Sequence, residues 1–450
     1  MNMVTEILTR ENSYHEAFRV LQESQPDSPG SWLKRLRESA IDSFQELGFP
    51  SVKDEEWKYT NVAPIARINF KPATLAAAAP SGFDDGNLAA FGCVEGKDSQ
   101  LVFVNGILRR DLSSLTGLPP GVVAIDLSQA ISDERYGEIA WKHLAQQADY
   151  LAHGFTALNT AFISNGGFVY IPKGVTVESP LHLLFISDGA HTASFPRVLL
   201  VAEENSSATV LESYASTWDG ASYFTNAVFE IVLKEGAQLE HYKVQRESTA
   251  AFHIATTAAD LGPNSRYDAT TITFGAELSR HDIQVTLDHE GAECWIDGLY
   301  LVATGQHADT HSLIDHRKPH CTSHQLYKGI LDGKSRAVFN GKVFVRHDAQ
   351  KTDAMQTNKN LLLSNEARVD TKPQLEILAD DVKCAHGAAV GQIDEDELFY
   401  LETRGIHHDL ARNLLTYGFA EEVIGKIKID SIREQLDEAV LNRLNARLEV

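Results

Sequence analysis

Lys234 to Gln245 reads KEGAQLEHYKVQ. An acidic residue and a glycine form a corner, a small residue follows, one position is variable, and an apolar residue then opens a run with strand alternation. Asn264-Ser265-Arg266-Tyr267 and Gly291-Ala292-Glu293-Cys294 repeat the pattern. It returns more loosely around Ala208, Ser335 and Ala367. Counted between the small residues Ala208, Ala237, Ser265, Ala292, Ser335 and Ala367, the intervals are 29, 28, 27, 43 and 32 residues. Apart from the long step, these approach the rung length of a fold in which one supersecondary unit stacks on the next.

From about Gly167 to Gln392 the chain consists of short runs rich in Val, Ile, Leu, Thr, Phe and Tyr, broken by Gly, Asn and Asp. Few stretches keep a helical period for three turns, so this is a long β region. A β-helix or related solenoid explains the corner spacing; a large sandwich or barrel with coincident turns is the alternative. Helices flank this region. Trp32, Leu36, Ala40, Phe44 and Leu47 share one helical face after Asp27, Ser28 and Pro29, which offer cap chemistry, and Gly48 and Pro50 stop the helix. Thr74 to Pro80 and Ser81 to Ser99 read as loop or linker. At the other end, helices are predicted over Asp394–Arg404, from about Asp409 to Tyr417 before Gly418, and from Ser431. The last has Ser431 and Glu434 in capping-box spacing and a stripe of Ile432, Leu436, Val440, Leu444 and Leu448 that must be buried against its own domain or a partner. The resulting division is a helical N-terminal region and linker at 1–100, a β core with the segment leading into it at 101–392, and a C-terminal helical region at 393–450.

With 450 residues and 43% hydrophobic content, the chain can bury a large core. Its 62 acidic against 40 basic side chains give a net charge of -22 with no basic block, which disfavours nucleic acid and anionic membranes. Met1 to Val20 lacks the apolar run of a signal peptide, and polar residues such as His153 and Asn159 interrupt the uncharged segment Tyr150 to Pro172. A cytoplasmic protein is expected. Cys93, Cys294, Cys321 and Cys384 are scattered, which fits reduced thiols.

Three constellations can carry chemistry. His316, His320, Cys321 and His324 are all possible metal ligands, but on a strand His320 and His324 would face away from Cys321, and packing is the plainer explanation. Asp380 and Asp381, with Asp348 and Asp353, would suit the paired carboxylates of a β-helix polysaccharide enzyme, yet adjacent strand residues point apart and rim positions fit better. Cys384 and His386, one residue apart, share a face if extended, roughly 6 to 7 Å apart at the backbone. They can form a soft-metal or iron-sulfur ligand pair, a nucleophile with its base, or a buried structural pair. No phosphate-binding loop or nucleophile elbow is present, so the chain is not expected to hydrolyse ATP itself.

Phe339 to Ala388, FNGKVFVRHDAQKTDAMQTNKNLLLSNEARVDTKPQLEILADDVKCAHGA, resembles the core signature of the SufB/SufD family of the SUF iron-sulfur assembly system. GAECWIDGLYL at Gly291–Leu301, PHCTSHQLYKGILDGKSR at Pro319–Arg336, LEHYKVQ at Leu239–Gln245 and the N-terminal DEEWKYTN at Asp54–Asn61 are similar too. KCAHGAAVGQ at Lys383–Gln392 resembles the SufD branch, because the SufB form carries an acidic residue after the His; Ala385 departs from the Ser often found there. The resemblance implies a right-handed parallel β-helix between helical regions, acting as a scaffold without turnover of its own. SufB and the SufC ATPase are the implied partners, with homodimers when the chain is alone. It also implies that Cys384 and His386 handle a nascent iron-sulfur cluster, transient and shared with SufB, with no tightly bound cofactor in the isolated chain. By ordinary thiol chemistry Cys384 becomes a thiolate near neutral pH through a nearby positive charge, from Lys383 or the partner, or through the metal itself. The C-terminal helices, through the Ile432 to Leu448 stripe, would dock SufC, and an exposed strand edge would meet SufB. A polysaccharide-active β-helix and a stand-alone metal-binding protein are the rival functions.

Overall fold

The computed structural model describes residues 3–24, 31–73, 88 and 91–444. Most of it is a parallel β-solenoid built from two sheets of 11 and 10 strands. From Ser207 onward the chain alternates between sheets, so that each strand pairs in parallel with the next strand but one. Phe224–Leu233, Phe252–Leu261, Leu278–Leu287, His307–His316, Arg336–Val345 and Arg368–Ile377 stack in the first sheet. Ser207–Ser216, Gln238–Arg246, Arg266–Phe274, Glu293–Val302, Thr322–Leu331, Asp353–Leu362 and Lys383–Gly391 stack in the second.

The corner pattern has a conformational basis. Before six of the seven second-sheet strands from Ser207 onward, all but Lys383–Gly391, a residue adopts positive φ: Asn205, Gly236, Asn264, Gly291, His320 and Lys351. A small buried residue follows each: Ser206, Ala237, Ser265, Ala292, Cys321 and Thr352. Glycine and asparagine tolerate this left-handed region best, which makes four of the six corners visible in sequence. His320 and Lys351 hide the other two. The 43-residue step therefore has a simple origin: Ala208, Ala237, Ser265 and Ala292 belong to the second sheet, whereas Ser335 and Ala367 precede first-sheet strands.

The N-terminal region seals one end and straps one face. Val123–Asp126 pairs antiparallel with Gly167–Ile171. The helix Trp32–Leu47 forms as its apolar spacing predicts, with Ser31 as its cap and Gly48 at φ 63° ending it; Asp27, Ser28 and Pro29, like Thr74 to Pro80, Ser81 to Asn87, Ala89, Ala90 and Leu448, lie outside the described residues. DEEWKYTN lies over the first sheet's outer face. The Arg280 guanidinium sits 3.7 Å from the Trp57 ring centroid, Glu56 meets His311 at 3.2 Å, and Glu55 meets Lys372 at 2.9 Å. Burial opposes the charged form of His311, but the Asp309 carboxylate prevails and pushes the imidazole up to about 9.

The C-terminal helices His408–Ile424 and Asp430–Arg443 fold back along the second sheet, and Glu395–Thr403 lies against the first of these. Gly418 does not stop the middle one, which continues to Ile424 because Ala420, Val423 and Ile424 are buried against the sheet. The Ser431–Glu434 capping box does not form. Ser431 instead gives its N–H (3.0 Å) and its hydroxyl to Glu95, so a distant carboxylate sits at the helix N-terminus. Ile432, Leu436 and Val440 pack with Tyr242, Val244, Ile272, Phe274, Leu299, Leu301 and Ile330 of the outer sheet face. The stripe expected to dock a partner is thus consumed by the chain's own core.

Candidate functional site

The solenoid's far end is open. Arg368–Ile377 and Lys383–Gly391 are the last strands of their sheets, each paired on one side only. Lys383 donates its N–H to the carbonyl of Thr352 at 2.8 Å. Backbone alternation then turns the N–H and C=O groups of Cys384, His386, Ala388 and Val390 to the free edge.

Side-chain alternation puts Cys384 and His386 on the inward face. In register, Cys384 pairs with Ala354, His386 with Gln356, Ala388 with Asn358 and Val390 with Asn360. Those four partners are buried. Cys384 is half-buried against the core, while Ala385, His386 and every residue from Gly387 to Gly391 are exposed. Below the last strand lies a polar floor. Asn358 Oδ1 accepts from Asn360 Nδ2 at 2.6 Å and from the Thr371 hydroxyl at 2.8 Å, and the Tyr300 hydroxyl donates to Asn360 at 2.5 Å. Sequence reading missed this floor, because its members are brought together by rung stacking rather than by proximity in the chain.

Burial pushes the Cys384 thiol up, and the Asp353 carboxylate adds to it; a hydrogen bond from the Ala354 backbone only partly offsets them. Lys383, exposed and on the opposite face, does not supply the activating charge expected of it. Among the described residues no group of three His, Cys, Asp or Glu side chains stands close enough to hold a metal ion. Cys384 and His386 are thus two side chains of soft or borderline donor type on one face of the last strand, with no third such group beside them among the described residues.

The other constellations resolve into structure. His316 closes a first-sheet strand and bonds the Ser323 hydroxyl at 2.8 Å. His320 occupies a corner at φ 59°, Cys321 gives its thiol to the His289 carbonyl at 3.2 Å, and His324 stacks on Trp295 with centroids 5.6 Å apart. Asp380 and Asp381 are exposed at a turn, where Asp381 pairs with Lys351. They do not form a converging acid and base. A further polar cluster, inside the solenoid, has no sequence signature: Glu212 lies 3.0 Å from His241 and 3.2 Å from Lys243, and Glu247 lies 2.7 Å from His253, all fully enclosed. No helix among the described residues is long and apolar enough to cross a membrane.

The family profile described as SUF system FeS cluster assembly, SufBD core domain, matches residues 185–419, and that of the SufBD protein N-terminal region matches residues 8–183. An iron-sulfur cluster assembly SufBD family protein of Synechocystis is 38% identical over 425 residues, spanning 91% of each chain. The iron-sulfur cluster assembly protein SufD of Escherichia coli is 33% identical over 413 residues, again 91% of each. The protein of the same name from Bacillus subtilis is 28% identical over 418 residues, 90% of this chain and 92% of its own.

Proposed function

The chain belongs to the SufBD family of the SUF iron-sulfur cluster assembly system, and we propose that within it this protein is the SufD-type scaffold subunit, which pairs with SufB through its open solenoid end. The observation that carries this reading is the placement of Cys384 and His386, inward-facing on an unpaired edge strand, as two donors of an incomplete ligand set. A nascent cluster is the cargo there, held with ligands from SufB and passed on. No turnover by this chain is required. The positive charge that makes Cys384 a thiolate comes from the iron itself or from SufB, since Asp353 opposes it from within the chain.

The SufC ATPase, in this reading, docks on the helix Glu395–Thr403. Its Phe399 and Tyr400 are 65% and 56% exposed, a large aromatic surface left once the Ile432 stripe is buried.

The test is cluster yield in cells co-expressing SufB and SufC, with complex assembly checked in parallel. Cys384→Ala and His386→Ala should each lower the yield several-fold with the complex intact, because neither change leaves a large cavity. His386→Ala should be at least as damaging, since SufB can contribute a thiolate of its own. Full yield from the double variant would reduce both residues to packing.

A further inference from the structure

Gln356 is the in-register neighbour of His386, and Gln325 lies one rung deeper in the same ladder. All three share the inward parity. Gln356 is 1% exposed. Its Nε2 donates to Gln325 Oε1 at 2.8 Å. Gln325 is itself held by Ser312, donating Nε2 to the hydroxyl oxygen at 2.8 Å and accepting through Oε1 from the same hydroxyl at 3.1 Å. This relay commits the Gln356 amide nitrogen toward the interior. Its Oε1 is buried and without a hydrogen-bond partner among the described residues.

A buried carbonyl oxygen with no donor is costly, and native structures leave few of them. A neutral imidazole has one N–H to give and one lone pair to offer, and a metal-ligating histidine commonly donates its second nitrogen's proton to a carbonyl or carboxylate. His386 stands on the adjacent strand with both ring nitrogens uncommitted in the hydrogen bonds described. We propose that Gln356 is the positioning residue for His386: its side-chain carbonyl accepts the imidazole N–H, fixes one neutral tautomer, and turns the remaining lone pair toward the open end, where iron is received. The inference rests on the ligand role of His386 argued above and deepens it, since it names what aims the ring.

The experiment uses the full chain, selectively labelled at histidine with ¹⁵N, with His386 assigned by comparison with His386→Ala. Above about pH 6.5, where an unperturbed imidazole is mostly neutral, long-range ¹⁵N–¹H spectra report which nitrogen carries the proton. The wild-type ring should show one dominant tautomer. Gln356→Met, of similar length but with no acceptor, should give a mixture, and Gln356→Glu, which keeps an acceptor, should restore the single form. Cluster yield with SufB and SufC should follow, falling several-fold in Gln356→Met and recovering in Gln356→Glu. A residue that only fills space would shift thermal stability in both variants and leave the tautomer alone. Identical tautomer populations in wild type and Gln356→Met overturn the positioning role even if His386→Ala abolishes yield. Should Gln356→Met fail to fold, a mixed tautomer in Gln356→Glu overturns it equally. Full yield from His386→Ala instead removes the ligand role itself, which separates the two failures.

Discussion

Cys384 differs from the other three cysteines in a way that can be measured directly. Cys93, Cys294 and Cys321 are buried, and only Cys384 is partly accessible. Because burial and then Asp353 raise its thiol, the isolated chain presents a protonated, weakly nucleophilic group at neutral pH. Iodoacetamide should therefore label Cys384 alone in the native protein, with a rate that climbs through a midpoint above about 8.5, the ordinary thiol value. A midpoint below that value, or equal labelling of Cys93, would contradict the assignment. The pairing of Cys384 with His386 was legible because a strand repeats every two residues, so one intervening position suffices to put two side chains on one face. Gln356 was not legible: it stands 30 residues before His386, and only the rung register makes them neighbours. The Lys383 expectation failed for the same periodic reason, since adjacent strand residues point apart.

Among the secondary-structure elements, the solenoid shows which signals survive in sequence. A left-handed corner written with Gly236, Asn264 or Gly291 announces itself, whereas the same conformation at His320 or Lys351 is paid for by surrounding hydrogen bonds, such as those of the His320 N–H to the Gln350 carbonyl and the Lys351 N–H to the Asp381 carbonyl, and carries no composition signal. The helix Asp430–Arg443 was legible as amphipathic, but amphipathicity alone does not say which surface covers the stripe. Here it is the chain's own sheet, with Glu95 at the helix N-terminus and Lys426 bound to Asp297 at 2.7 Å fixing the approach. Leu436 is fully buried in that contact, so Leu436→Ala should cost about 2–5 kcal/mol of stability, read as a shift in the denaturant midpoint. Deleting 394–450 should yield an aggregating chain, because it bares Tyr242, Val244, Ile272, Phe274, Leu299, Leu301 and Ile330 together. A soluble, monomeric truncation would instead mean that this helix is not needed to cover the sheet face.

For the molecule as a whole, the two ends differ in what they leave open to a partner. One end is closed by an antiparallel strand and helices; the other leaves two strand edges open, and open edges recruit further strands. The two edges are not equally protected. Arg368–Ile377 carries Lys372 and Pro373, residues that discourage edge pairing, whereas the run from Cys384 to Gly391 has neither proline nor lysine. The second edge is thus the one available to another chain, whether SufB or, at high concentration, a second copy. Ala388 tests this cleanly, since its N–H belongs to the set directed at the free edge. Ala388→Pro should preserve the fold, as judged by circular dichroism, while weakening the one-to-one species with SufB by at least about tenfold in sedimentation, a loss of about 1.4 kcal/mol. Ala389→Pro is the control, because its N–H is directed inward to Asp353–Leu362 and its replacement should damage the fold itself. If Ala388→Pro associates as the wild type does, both with SufB and with itself, the Cys384–Gly391 edge is not the joining surface. Cys384 and His386 would then face solvent in the assembled complex, with no partner to complete their ligand set.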